Sequence, residues 1–132
     1  MLNKLKKDVL EANLELSKRG YTIAVLSNKQ DKYVKNIVNN LFPEGVVAFV
    51  QGQTGLPVKP DPTVPLMICR ELGFEAAETV FIGDSEVDIK TGENAGMLKV
   101  GVSWGYRPRD VLEAACADHI ADNPEDLLSI LA

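Results

Sequence analysis

A chain of 132 residues, 45% hydrophobic and 25% charged, is sized for one soluble domain with a core of its own, covering residues 1–132. Its net charge of −5 opposes nucleic acid and anionic membrane surfaces as partners, and no stretch reaches the roughly 18 apolar residues of a spanning helix. Cys69 and Cys116 lack the paired spacing of a zinc site and read as buried spectator thiols in helical segments, while residues 1–7 lack the apolar run of a secretion signal, which points to the cytoplasm.

Leu2, Leu5, Val9, Ala12 and Leu16 recur at helical spacing, and Lys18, Arg19 and Gly20 supply the cations and the glycine of a helix end. An apolar, β-rich run over 21–26 predicts a strand. Ser27 and Asn28 then lead into a helix over 31–41, on which Tyr33, Ile37 and Leu41 align. A second strand is predicted over 46–50, before a loop rich in glycine and proline over 51–62. Asp61 can cap, and Pro62 can open, a helix running to Leu72 with Gly73 past its end. The pattern continues with a strand over 79–82, a helix over 85–95 closed by Gly96, and a strand over 99–102. A helix over 110–115, a short edge strand over 119–121 and a terminal helix over 124–131 finish the chain. This alternation predicts an α/β, Rossmann-like three-layer fold around a mainly parallel sheet, with ligands gathering beyond the carboxyl ends of the strands.

Three loops at those ends carry candidate chemistry. Asp84 directly follows a strand and Asp88 lies within the first turn beyond it, so both carboxylates can face one pocket. Magnesium takes hard oxygen ligands and commonly uses only one or two protein carboxylates beside phosphate. Helix capping by Asp84 or Ser85, with Asp88 favouring the helix dipole, accounts for the same residues without a metal. Ser27 and Asn28 offer a hydroxyl and an amide where free N–H groups favour an anion, and ordinary turn chemistry is the alternative. Lys59 precedes Pro60 and is biased towards extended backbone, which can aim its ammonium at a phosphate; a solvated loop lysine is the plainer reading.

Taken together and in order, Val25-Leu26-Ser27-Asn28-Lys29, Val58-Lys59-Pro60-Asp61-Pro62 and Phe81-Ile82-Gly83-Asp84-Ser85-Glu86-Val87-Asp88 resemble motifs II, III and IV of the haloacid dehalogenase superfamily. Asn94-Ala95-Gly96-Met97 and the run from Gly101 to Arg107 are similar to its phosphoglycolate phosphatase branch. The resemblance implies a magnesium-dependent hydrolase of a small phosphorylated metabolite such as 2-phosphoglycolate. In it Ser27 and Asn28 bind the phosphoryl group, Lys59 neutralises it, and Asp84 holds the metal with support from Asp88.

Family members begin with a strand ending in Asp-x-Asp, whose first carboxylate forms an aspartyl-phosphate and whose second is acid and base. This sequence contains no Asp-x-Asp, and Asp8 sits inside the first helix. The helical cap that follows this strand in the family is missing as well. The resemblance therefore implies an incomplete sheet, lacking a central strand between 21–26 and 79–82, and a chain that is inactive by itself. Its open sheet edges would take a complementing N-terminal segment or a second copy. Two other readings are a non-catalytic phosphate-binding or partner-binding remnant, and a phospho-receiver domain. The latter fits less well, because Leu26 is followed by Ser27 and Asn28 rather than by acidic residues.

Overall fold

The computed structural model describes residues 2–132, with side chains from Lys7 onward; the predicted helix-face positions Leu2 and Leu5 have side chains outside the described residues. The chain divides into two compact units, Met1–Leu56 and Pro57–Ala132.

The first unit is helix α1 (Leu2–Lys18), strand β1 (Ile23–Gln30), helix α2 (Asp31–Leu41) and strand β2 (Val47–Gln53). β1 and β2 pair in parallel, as expected for strands joined by a crossover helix. Ala12 and Leu16 of α1 and Val34 and Val38 of α2 are buried, each pair at a four-residue step on one helix face. β1 runs further than the apolar pattern predicts. Between Leu26↔Gln51 and Gln30↔Gln53 it advances four residues while β2 advances two, so Ser27, Asn28 and Lys29 lie on a bulge at its carboxyl end. The amide of Lys29 donates to Ser27 Oγ at 3.2 Å. Asp31, at the start of α2, accepts from the amide of Gly52 at 2.8 Å and pairs with Lys35 Nζ at 2.6 Å, which ties the helix to β2.

The second unit contains α3 (Thr63–Leu72), a 3₁₀ turn over Ala76–Glu78, β3 (Val80–Gly83), α4 (Glu86–Ala95), β4 (Leu98–Val102), α5 (Arg109–Ala114), β5 (His119–Ala121) and α6 (Asp126–Ile130). Its three strands lie in the order β3-β4-β5, all parallel. Strand residues alternate between faces, and the core divides accordingly. Val100, Val102 and Ala121 pack with Leu127 of α6, joined by Val80, Trp104 and Ile130. Phe81, one residue on from Val80, packs instead with Cys69 and Leu66 of α3 and Ala95 of α4. Leu112 of α5 is fully buried against Gly101, where an added Cβ would lie 3.1 Å from it. Helices thus cover both faces of this sheet, in three layers.

The α/β class and the parallel pairing match the expectation. So does the incompleteness: among the described residues β1 pairs only with β2, and β3 only with β4, leaving each with an open edge. Two local readings change. The helix after Lys59 begins at Thr63 rather than Pro62, so Pro62 takes the cap position expected of Asp61; Asp61 Oδ1 still accepts from the Thr63 amide at 2.8 Å. Cys116 is exposed and lies beyond α5, not in a helix and not buried; α5 ends at Ala114 and the chain turns back through φ 71 at Cys116. Cys69 is buried as expected, 3.4 Å from Thr79 Oγ1.

Candidate active site

Three of the five predicted site residues, Lys59, Asp84 and Asp88, belong to the second unit, and their geometry follows from the end of β3. Gly83 is the last residue of that strand, and a Cβ there would run into the side chain of Asp88. Only glycine leaves room for that carboxylate to fold back over the strand end. Ser85 then caps α4, its Oγ accepting from the Asp88 amide at 3.3 Å, while the Ser85 hydroxyl donates to Asp88 Oδ2 at 3.0 Å. The amide of Asp84 donates to the same Oδ2, also at 3.0 Å. The helix-capping reading of Ser85 is therefore correct, and it coexists with a second task.

That task is an ion pair. Lys59 Nζ lies 2.6 Å from Asp88 Oδ1, with side-chain exposures of 16% and 8%. Lys59 is thus not a solvated loop lysine: its ammonium is brought to the carboxyl end of β3. The loop carrying it is fastened by Asn94 of α4, whose Nδ2 donates to the Pro60 carbonyl at 3.0 Å. Asp88 accepts from three donors, which fixes Lys59 on one oxygen and the Asp84 main chain on the other.

Asp84 is half-buried and its surroundings differ. Its Oδ2 accepts from the amide of Tyr106 at 3.1 Å, and its carbonyl accepts from the amide of Arg107 at 3.0 Å. Arg107 reaches back to α4, with Nε 3.1 Å from Glu86 Oε1, and its guanidinium stacks 4.3 Å from the Tyr106 ring centroid. The bonds from the Tyr106 and Arg107 amides to Asp84 are not legible in the sequence. The donors are backbone amides, which side-chain identity does not advertise. Trp104 packs into the core beside Val100.

Among the described residues, no three His, Cys, Asp or Glu side chains converge as a ready metal cage. A hard oxygen donor set built on one carboxylate nonetheless suits magnesium, which keeps most of its waters and takes one or two protein carboxylates. The space left by Gly105, filled by the Asp84 carboxylate where a Cβ would stand, shows that this carboxylate is held in place. Ser27, half-buried, and Asn28, exposed, lie on the bulge that ends β1 in the first unit.

Residues 2–102 match the family model for haloacid dehalogenase-like hydrolases. The chain belongs to that family. This haloacid dehalogenase-like chain is 32% identical to a phosphoglycolate phosphatase of Haemophilus influenzae over 98% of its own length and 58% of the relative's. It is 30% identical to one from Vibrio parahaemolyticus, over 99% of its own length and 58% of that relative's. Among solved structures, a protein from Lactobacillus delbrueckii subsp. bulgaricus assigned as a phosphoglycolate phosphatase superimposes with a TM-score of 0.88 at 34% identity. That match covers 94% of this chain and 52% of the other. A Haemophilus somnus protein with the same assignment gives a TM-score of 0.83 at 31% identity, covering 92% and 55%. The chain thus spans little more than half the length of the relatives it matches. No helix among the described residues is long and apolar enough to cross a membrane.

Proposed function

We propose that this chain is the phosphate-handling core of a magnesium-dependent phosphomonoester hydrolase acting on a small phosphorylated metabolite such as 2-phosphoglycolate. The observation that carries the reading is the buried pair of Lys59 with Asp88 beside Asp84 at the end of β3, which gathers a cation and two carboxylates where parallel sheets bind ligands.

In this reading Lys59 neutralises charge on the phosphoryl oxygens, and Ser27 and Asn28 donate hydrogen bonds to them. Asp84 holds magnesium, and Asp88 completes the metal arm by fixing both Lys59 and the main chain of Asp84. The metal supplies charge neutralisation on the transferring group, as phosphoryl transfer requires. The attacking carboxylate comes from an N-terminal Asp-x-Asp segment that this sequence does not contain. Its oxygen forms a bond to phosphorus as the ester P–O bond breaks, and the second carboxylate protonates the departing alcohol. Water then cleaves the acyl phosphate, releasing inorganic phosphate and regenerating the carboxylate.

The test uses this chain joined to an N-terminal segment bearing Asp-x-Asp. Asp84→Asn in that protein raises the magnesium concentration needed for phosphate release; an unchanged magnesium dependence removes Asp84 from the ligand set.

A second reading, a non-catalytic module that binds a partner or a copy of itself through its sheet edges, is favoured by one observation. β3 has an unpaired edge and Ile82 on it is 40% exposed, in a fold whose parallel strands are normally covered. Size-exclusion chromatography with circular dichroism discriminates: a stable folded monomer argues against self-association, and a concentration-dependent assembly supports it.

A further inference from the structure

Asp84 can serve a cation only if its carboxylate is presented in one orientation, and the loop after β4 is what sets that orientation. Gly105 approaches Asp84 so closely that a Cβ at this position would meet Oδ2, with Cβ and Cγ of Asp84 only 2.5 and 2.8 Å away. The approach brings the Tyr106 amide to Oδ2 at 3.1 Å and the Arg107 amide to the Asp84 carbonyl at 3.0 Å. Arg107 fastens the far end of the loop to Glu86, the first residue of the helix that follows Asp84. With Oδ2 engaged by the loop, Oδ1 is the less encumbered oxygen for a cation.

We infer that Gly105 is a positioning residue for Asp84: by having no side chain it lets the Tyr106 amide clamp one carboxylate oxygen and turn the other towards a hard divalent cation. This rests on the proposed metal role of Asp84. It assigns a role to a residue that touches neither metal nor substrate. A Cβ at this position would press not only on the carboxylate but also on Cβ of Asp84, 2.5 Å away, so turning the carboxylate alone does not relieve the clash and Asp84 must move. Loss of a partner that orients a metal ligand typically weakens metal binding by about 10- to 100-fold.

The test is a titration of the full chain with manganese(II) alone, a paramagnetic stand-in for magnesium, followed by broadening of backbone amide signals. In the native chain the amides of residues 83–85 and 105–107 broaden first and excess magnesium reverses the effect; Asp84→Asn abolishes it. Gly105→Ala requires about 10-fold more manganese or greater, at the low end of the range for an orienting partner, while amides remote from this loop keep their positions. If Gly105→Ala does not fold, Arg107→Ala, which loosens the loop without adding an atom, shifts the titration in the same direction. Native broadening that Asp84→Asn removes but that both loop variants leave unchanged overturns the role of Gly105 alone. The absence of localised broadening in the native chain overturns the metal role of Asp84 and, with it, this inference.

Discussion

Lys59 Nζ stands 2.6 Å from Asp88 Oδ1, and the two side chains retain only 16% and 8% of their exposure. Desolvating two charges is costly, and their attraction offsets the cost only when the geometry is good and the remaining lone pairs are satisfied. Here Asp88 Oδ2 is satisfied by the Asp84 amide and the Ser85 hydroxyl, each at 3.0 Å. Asp88→Asn removes the counter-charge and is expected to destabilise the fold by about 2–5 kcal/mol, a large share of the roughly 5–15 kcal/mol that holds a domain together. Lys59→Met combined with Asp88→Asn costs less than the sum of the single changes, because neither charge is then stranded. Urea unfolding of the four proteins measures this; strict additivity contradicts a coupled pair.

Acid sensitivity is expected in the first unit. Lys35, paired with Asp31 at 2.6 Å, and the Gly52 amide hold the Asp31 carboxyl below its ordinary value of 3.8. A carboxyl depressed in the folded state stabilises fully above its unfolded value, and that stability disappears as pH falls through the folded value. The native chain should therefore exceed Asp31→Asn in stability at neutral pH, with the gap closing below pH 3.8. Thermal unfolding of both proteins across pH 2 to 7 checks it; a gap that does not change with pH contradicts the assignment.

Much of the layout was legible because it depends on patterns that side-chain identity carries. The strand at Val80–Gly83, the helix ended by Gly96 and the edge strand at His119–Ala121 follow from apolar runs, caps and glycines. The extension of β1 over Ser27–Gln30 did not, since those polar residues look like a turn and are kept in the strand by irregular pairing with β2. The 3₁₀ turn at Ala76–Glu78 was missed although a signal existed: Glu75 and Glu78 form a reciprocal capping box. At the site, Lys59, Asp84 and Asp88 were each legible from their loops. Their connections were not, because Gly83, Gly105 and the amides of Tyr106 and Arg107 act through space left empty and through main chain.

The corrected position of Cys116 has a direct chemical consequence. It is exposed while Cys69 is buried on the inner face of α3, so a thiol reagent should modify one sulfhydryl rapidly in the native chain and the second only after unfolding. Counting modified thiols by mass spectrometry with and without urea checks this. Rapid modification of Cys69 in the native chain contradicts the packing of that face of the sheet.

In the proposed function this chain holds the charge-stabilising side of a phosphatase site whose attacking carboxylate must be supplied. This is measured as magnesium-dependent phosphate release from 2-phosphoglycolate, by the chain alone and by the chain joined to an N-terminal segment bearing Asp-x-Asp. No release above the uncatalysed rate is expected from the chain alone, and release is expected from the joined protein. Turnover by the chain alone, abolished by Lys59→Ala, would contradict it, because the nucleophile would then lie within these 132 residues.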